Sequence, residues 1–310
     1  ALFALMTKLG VYTVLRLWTL MFSSQADESA LFGSTWLICG GMLTMVFAAI
    51  GMLGSQRLTN LAGYAAILSS GSLLAAAGFG QNLLTAGLLY YLPSSTLAVA
   101  ALFLLADLID RWRNAGARTA PYEDDEAPFL NAELVPTTGL NLDEDEEVLI
   151  GRVIPAAAAF LGLAFMVCTL IISGLPPLSG FVGKIAMINA VLNPMGIGAS
   201  AGNQPGILGW ALVVLMIGTG LVASIALIRV GMRHFWASHD RNTPQLRVAE
   251  GLPIAVLLGC CIALTVQAGP VLRYMQNAAD ALHSPGTYIH GVLTQAPVPN
   301  PVPAPAKEQP

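Results

Sequence analysis

The sequence predicts an all-α, polytopic transmembrane helix bundle of about seven spans, one of them discontinuous. Three observations carry that prediction. Of the 310 residues, 55% are hydrophobic and only 10% charged, against about 25% charged in a soluble domain. Mean hydropathy is +0.68, and the apolar residues gather in runs of roughly twenty, the length that crosses a bilayer. One such run, 153–193, is interrupted by Ser173-Gly-Leu-Pro-Pro-Leu-Ser-Gly-Phe-Val-Gly-Lys184. Pro176 and Pro177 remove two backbone donors and clash with the preceding turn, so a helix breaks there. A broken backbone survives in hydrocarbon only where protein buries it or it lines a wet cavity.

The first run, 1–23, carries Lys8 near its middle and Arg16 towards its end. A mid-span lysine costs roughly 2.5–3.5 kcal/mol on insertion scales, so it needs a reason to be there. Residues 34–53 form the second span, and 58–78 the third, with Ser69-Ser70-Gly71-Ser72 at a depth where small residues let helices approach closely. The fourth run, 83–109, holds Pro93-Ser94-Ser95-Thr96 at its centre and Asp107 at its far end. Pro93 frees a carbonyl that hydroxyls or water must satisfy, so a bend is expected at membrane depth.

Residues 111–152 change character. Arg111, Arg113 and Arg118 are followed by the acidic runs 123–126 and 143–147, which read as a solvated, partly disordered loop or, more sharply, as a cation-collecting funnel. The broken span, a span at 207–230 and a last one at 252–271 come next. Residues 272–290 fit a short surface helix, and from Ala296 the alternating prolines make an extended tail. The divisions expected are therefore 1–110 (four spans), 111–152 (acidic loop), 153–271 (three spans) and 272–310 (amphipathic segment and tail). Counting the broken run as one crossing puts Arg57, Arg111, Arg113, Arg118, Arg152, Arg229, Arg233, Arg241 and Arg247 on one side. The positive-inside rule makes that side cytoplasmic.

No cofactor or metal site is expected. Cys39, Cys168, Cys260 and Cys261 lie in apolar runs without CxxC spacing, and His234, His239, His283 and His290 fall in loops or the tail. The chain opens inside an apolar run that Lys8 interrupts, which fits a sequence beginning partway through a larger protein.

Lys184, four residues past Gly180, is a charge beside a helix break, the recurring form of an ion site in transporters. A proline-kinked helix whose lysine snorkels to the interface is the plainer alternative. Burial disfavours the charged form of an amine, so amines in a bundle can exchange protons as their neighbours change. Lys8 and Lys184 are thus the candidate proton-carrying pair, with Ser69, Pro93, Ser94, Ser95, Asp107, Pro176 and Pro177 in support.

Four stretches, MTKLGVYTVLRLW, QRLTNLAGYAAILSSG, YYLPSSTLAVAALFLLADLIDR and SGLPPLSGFVGK, resemble in order and spacing the antiporter-like subunits shared by respiratory complex I and the Mrp/Pha monovalent cation/proton antiporters. The resemblance covers residues 1–275 and is greatest to the D-type subunit of the antiporters. It implies a fourteen-helix inverted-repeat fold of which this chain supplies the C-terminal half. Carried over by motif, Lys8 corresponds to the lysine of the central polar axis and Lys184 to the ionisable residue of the second broken helix, near the outer exit. Ser69 and Ser94 stand where many relatives carry histidine, which leaves relay there to bound water.

The expected function is proton translocation in exchange for Na⁺ or K⁺, by a transporter subunit that is not an enzyme. The alternative is a proton-pumping membrane subunit of a complex I-like NADH:quinone oxidoreductase; a structural scaffold is a third possibility. Expected partners are other subunits of the complex, membrane lipid, protons and Na⁺ or K⁺, with no nucleic acid. The expected location is the bacterial inner membrane.

Overall fold

A computed structural model describes residues 2–22, 29–118, 156–194, 205–235 and 248–284, with isolated positions from 286 to 294; side chains of 112–118 and 248 are excluded. The described residues form α1 (Leu2–Met21), α2 (Ser34–Gly54), α3 (Leu58–Gly78), α4 (Asn82–Arg118), α5 (Ala156–Ser173), α6 (Ser179–Leu192), α7 (Ile207–Phe235), α8 (Val248–Val266) and α9 (Ala268–His283). Six of these helices are long and apolar enough to cross a membrane. The 20-residue α1, interrupted by Lys8 and Arg16, falls outside that group, as does the 14-residue α6. The chain is a multi-pass membrane protein. The acidic runs within 119–155 and the proline-rich tail lie outside the described residues.

Without a hydrophobic drive between helices in lipid, close backbone approach at small residues holds such bundles together. The α2–α3 pair shows this directly. A methyl added at Gly41 would run into the Ala75 backbone, and one at Gly71 into Thr44 and the Gly41 carbonyl. Outward faces of α1, α2 and α7 carry Leu5, Leu9, Leu43, Phe47, Val214 and Ile217 exposed, as expected of sides that meet lipid.

Polar ties gather at two rims. At the first, Arg229 of α7 donates to the carbonyls of Leu53 (2.5 Å) and Ser55 (3.1 Å) at the end of α2. Arg233 reaches Gln56 Oε1, Thr59 donates to Asp110, and Arg111 pairs with Asp107 (3.1 Å) and Glu250 (3.2 Å). At the second, Trp18 Nε1 donates to the Phe32 carbonyl and Ser34 Oγ to that of Gly78. Asn82 donates to Asp280 and Thr85 meets His283. Burial pushes His283 below its ordinary value, against the opposing pull of the Asp280 carboxylate. The turns therefore alternate between rims in the order expected, and Arg111, Arg229 and Arg233 share one of them.

Three element boundaries differ from the sequence expectation, each for a local reason. Helix α4 runs unbroken past Pro93, where Ser95 and Thr96 hydroxyls turn back onto the Leu92 carbonyl (3.1 and 2.6 Å). It continues beyond Ile109, helped by the i,i+4 pair Asp107–Arg111. Likewise α7 extends past Val230 to Phe235, so His234 lies on a helix, with Nδ1 2.8 Å from the Val230 carbonyl, and not in a loop. The last span stops at Val266. Gln267 leaves helical geometry at φ −98°, ψ 27°, and α9 begins at once with Pro270 in its first turn, where the missing N–H costs nothing.

Candidate ion-transfer site

The expected break is present, and its hydrogen bonds can be followed atom by atom. Helix α5 ends at Ser173, with Gly174 in the left-handed region at φ 75°. Gly174 N donates to the Ile171 carbonyl (3.2 Å) and Leu175 N to that of Leu170 (3.0 Å). This glycine-terminated motif caps two of the last four carbonyls. It leaves those of Ile172 and Ser173. Lys184 takes both, its Nζ donating at 3.1 Å to Ile172 O and 2.7 Å to Ser173 O. The ammonium thus sits at the negative end of the α5 dipole.

The break lies near mid-depth. Gly220, halfway along α7, borders both the Ser173 carbonyl and Lys184 Nζ, while Val191 near the end of α6 meets Gly209 at the second rim. So α5 runs from the first rim to the middle, and α6 continues from there to the second. The two half-helices overlap side by side, since a methyl at Gly180 would collide with the Ile171 carbonyl. Gly180→Ala is expected to cost about 1–3 kcal/mol by overpacking, lowering the thermal midpoint of the assembled complex. Gly63→Ala, facing open space, is the control and should not lower it.

Lys8 occupies a different setting. It is 1% exposed and donates to Ser69 Oγ (2.5 Å), Ser70 Oγ (3.0 Å) and the Ala66 carbonyl (3.4 Å), all on α3. Both serine hydroxyls also donate to Ala66 O, at 3.0 and 2.9 Å. Ser69 is the twelfth residue of the 21-residue α3, so this amine too is near mid-depth. A mainly apolar groove of about 320 Å³ between α1, α2 and α3 reaches Ser70, with Thr7 and Thr44 on its border. Among the described residues, neither amine has a carboxylate partner.

Between the two amines lies a residue that the sequence did not single out. Tyr91 of α4 is 3% exposed, and its hydroxyl falls within interaction range of Ser72. Ser72 Oγ donates to the Ser69 carbonyl at 2.8 Å. The other side of Tyr91 packs on Gly183, where a methyl would come within 2.9 Å of its Cβ. Tyr91 therefore spans from the serine cluster under Lys8 to the residue beside Lys184. Its place one helical turn before Ser94, facing the same way, was the available signal.

The remaining expected residues separate clearly. Ser94, fully buried, donates to Ser179 Oγ at 2.8 Å and ties α4 to the start of α6. Ser95 bonds only within its own helix. Pro93 lies inside α4, and Pro176 and Pro177 are exposed in the connection between α5 and α6. Asp107 sits at the first rim, paired with Arg111, and is not brought to either amine.

No family model matches the chain. It is 44% identical over 292 residues to the D-type subunit of a probable K⁺/H⁺ antiporter of Rhizobium meliloti, covering 94% of this chain and 52% of that protein. It is 25% identical over 295 residues to the D-type subunit of the Na⁺/H⁺ antiporter of Alkalihalophilus pseudofirmus, covering 94% and 50%. The chain spans about half the length of the curated relatives it matches. In fold it is similar to a chain of the membrane-bound sulfane sulfur reductase, an archaeal respiratory membrane complex, with TM-score 0.63 at 14% identity over 91% of this chain and 48% of that one.

Proposed function

Since the chain is a relative of the D-type antiporter subunits over nearly all its length, we propose that it carries protons across the membrane in exchange for a monovalent cation. It does so as part of a multisubunit Na⁺(K⁺)/H⁺ antiporter, and as a transporter, not an enzyme. The observation that carries the reading is the pair of mid-depth amines held only by neutral oxygens. An ammonium locked to a carboxylate is a fixed strut. One bonded to serines and carbonyls can lose its proton without stranding an opposite charge.

In this reading protons pass between Lys8 and Lys184 through hydroxyls and water. Ser69, Ser72 and Tyr91 supply the hydroxyl side of the path. The Ser94–Ser179 bond fixes α4 against the half-helix that bears Lys184. The breaks in backbone pairing at residues 174–178 give water polar surface.

The fold likeness to a respiratory membrane complex favours a second reading, a redox-driven pumping module. The test uses vesicles holding the assembled complex. Under the antiporter reading, added Na⁺ or K⁺ collapses a preset pH gradient, and quinone-site inhibitors leave that response intact. A response abolished by those inhibitors and insensitive to the cation would reverse the ranking.

Tyr91→Phe removes one oxygen and little volume. Exchange is expected to fall by about tenfold, less than the roughly hundredfold or more that a lost proton-transfer group costs, because water can stand in for the missing hydroxyl. The amount of complex in the membrane should be unchanged. An unaltered rate would show that Tyr91 only fills space.

A further inference from the structure

We propose that the paired carbonyls of Ile172 and Ser173 form a monovalent cation site, occupied in turn by the Lys184 ammonium and by Na⁺ or K⁺. The inference deepens the exchange reading and rests on it. It starts from the cap at the end of α5. Gly174 and Leu175 satisfy the two earlier carbonyls and leave two, side by side, at the negative pole of a helix dipole. Half-helix C-terminal carbonyls at membrane depth are ligands of the kind that hold small cations.

Here an amine holds them, donating at 2.7 and 3.1 Å. That amine is tethered from the next half-helix and is not part of α5. It can leave without unwinding α5, since the cap is made by backbone groups of Gly174 and Leu175. When it leaves, two buried acceptors are exposed at once, and a single positive charge is what fills them. Gly220 keeps the approach open, because a methyl there would stand 2.6 Å from the Ser173 carbonyl and 3.4 Å from Lys184 Nζ. The Ser173 hydroxyl donates to Thr169 O at 2.7 Å and so retains acceptor lone pairs beside the same spot.

Charge bookkeeping then couples the ions. With the ammonium in place the site is full. A cation can enter only as Lys184 gives its proton to water or a neighbouring hydroxyl, becomes a neutral amine and withdraws. One positive charge leaves as a proton and one arrives as a metal ion.

The titratable neighbours do not offer an alternative charge. They are Tyr91 of α4 against Gly183, Cys261 of α8 beside Ser179, and Cys168 of α5 facing Cys261. The acids and bases of α4, α7 and α8 whose side chains are described, namely Asp107, Asp110, Arg111, Arg229, Arg233 and Glu250, are at the first rim, as is His234 near the end of α7.

The experiment measures saturable binding of radioactive sodium, or of rubidium in place of potassium, to the purified assembled complex between about pH 6 and about pH 9. In the wild type, affinity is expected to weaken by up to about tenfold per unit of acidification, as one proton competes with one cation. Lys184→Met should bind the cation with this pH dependence removed. Lys184→Arg, which keeps a permanent charge, should lose the site at every pH. Gly220→Ala retains Lys184 and should weaken binding by about tenfold or more, since its methyl overlaps the space beside the carbonyl.

Wild-type pH dependence persisting in both Lys184 variants would overturn the carbonyl site. If those variants also keep wild-type exchange rates, Lys184 drops out of the exchange mechanism as well; the exchange reading itself fails if the wild-type complex shows no cation-driven proton movement. If exchange is lost while binding is unaltered, only the carbonyl site falls.

Discussion

Replacing Lys184 with alanine is expected to abolish cation-proton exchange by the assembled complex while leaving assembly intact. Loss of a group that must accept and return a proton costs about a hundredfold or more. No other amine or carboxylate in α5 or α6 can substitute, since Lys184 is the sole charged residue of both segments. The same change has a structural signature. It leaves the Ile172 and Ser173 carbonyls without their donor, and each buried acceptor left unpaired costs about 1–3 kcal/mol unless water reaches it. The thermal midpoint of the complex should therefore fall by several degrees, even though the subunits still copurify. Wild-type exchange by this variant would remove Lys184 from the mechanism.

Lys8→Met should abolish exchange to a comparable degree and yet leave the thermal midpoint almost where it was. The difference follows from the acceptors. Ser69 and Ser70 both donate to the Ala66 carbonyl, so when the amine is removed no buried donor or carbonyl is stranded. A mid-span lysine also costs roughly 2.5–3.5 kcal/mol at insertion, which methionine avoids. A structural lysine would behave the opposite way, with stability lost and exchange kept. Measuring both quantities on both variants separates transport from scaffolding at each amine independently.

Much of this was visible along the chain. Two prolines in an apolar run announce a break wherever they occur, and a lysine four residues past Gly180 stands out against fourteen residues with no other charge. The hydroxyl cluster at 69–72 was also conspicuous. What could not be read was the pairing. Lys8 meets serines 61 and 62 positions away, and that meeting is decided by how α1 lies on α3, which no local pattern encodes. Tyr91 looked like any apolar packer beside Tyr90. Only the approach of Gly183 on one side and Ser72 on the other distinguishes it. Conversely, Asp107 drew notice as an acid at the end of a span, but an arginine one turn later already claims it.

The fastening at the two rims has a mechanical consequence. Guanidinium clamps and ion pairs rivet one edge of the bundle, and amide, indole and imidazole contacts stitch the other. The waist between them is laced far more softly, by hydroxyls and carbonyls with close-set glycines. A shift of the half-helix bearing Lys184 can then be absorbed at the waist while both edges stay sealed, which is what the proposed exchange of ions at that lysine would require of the bundle.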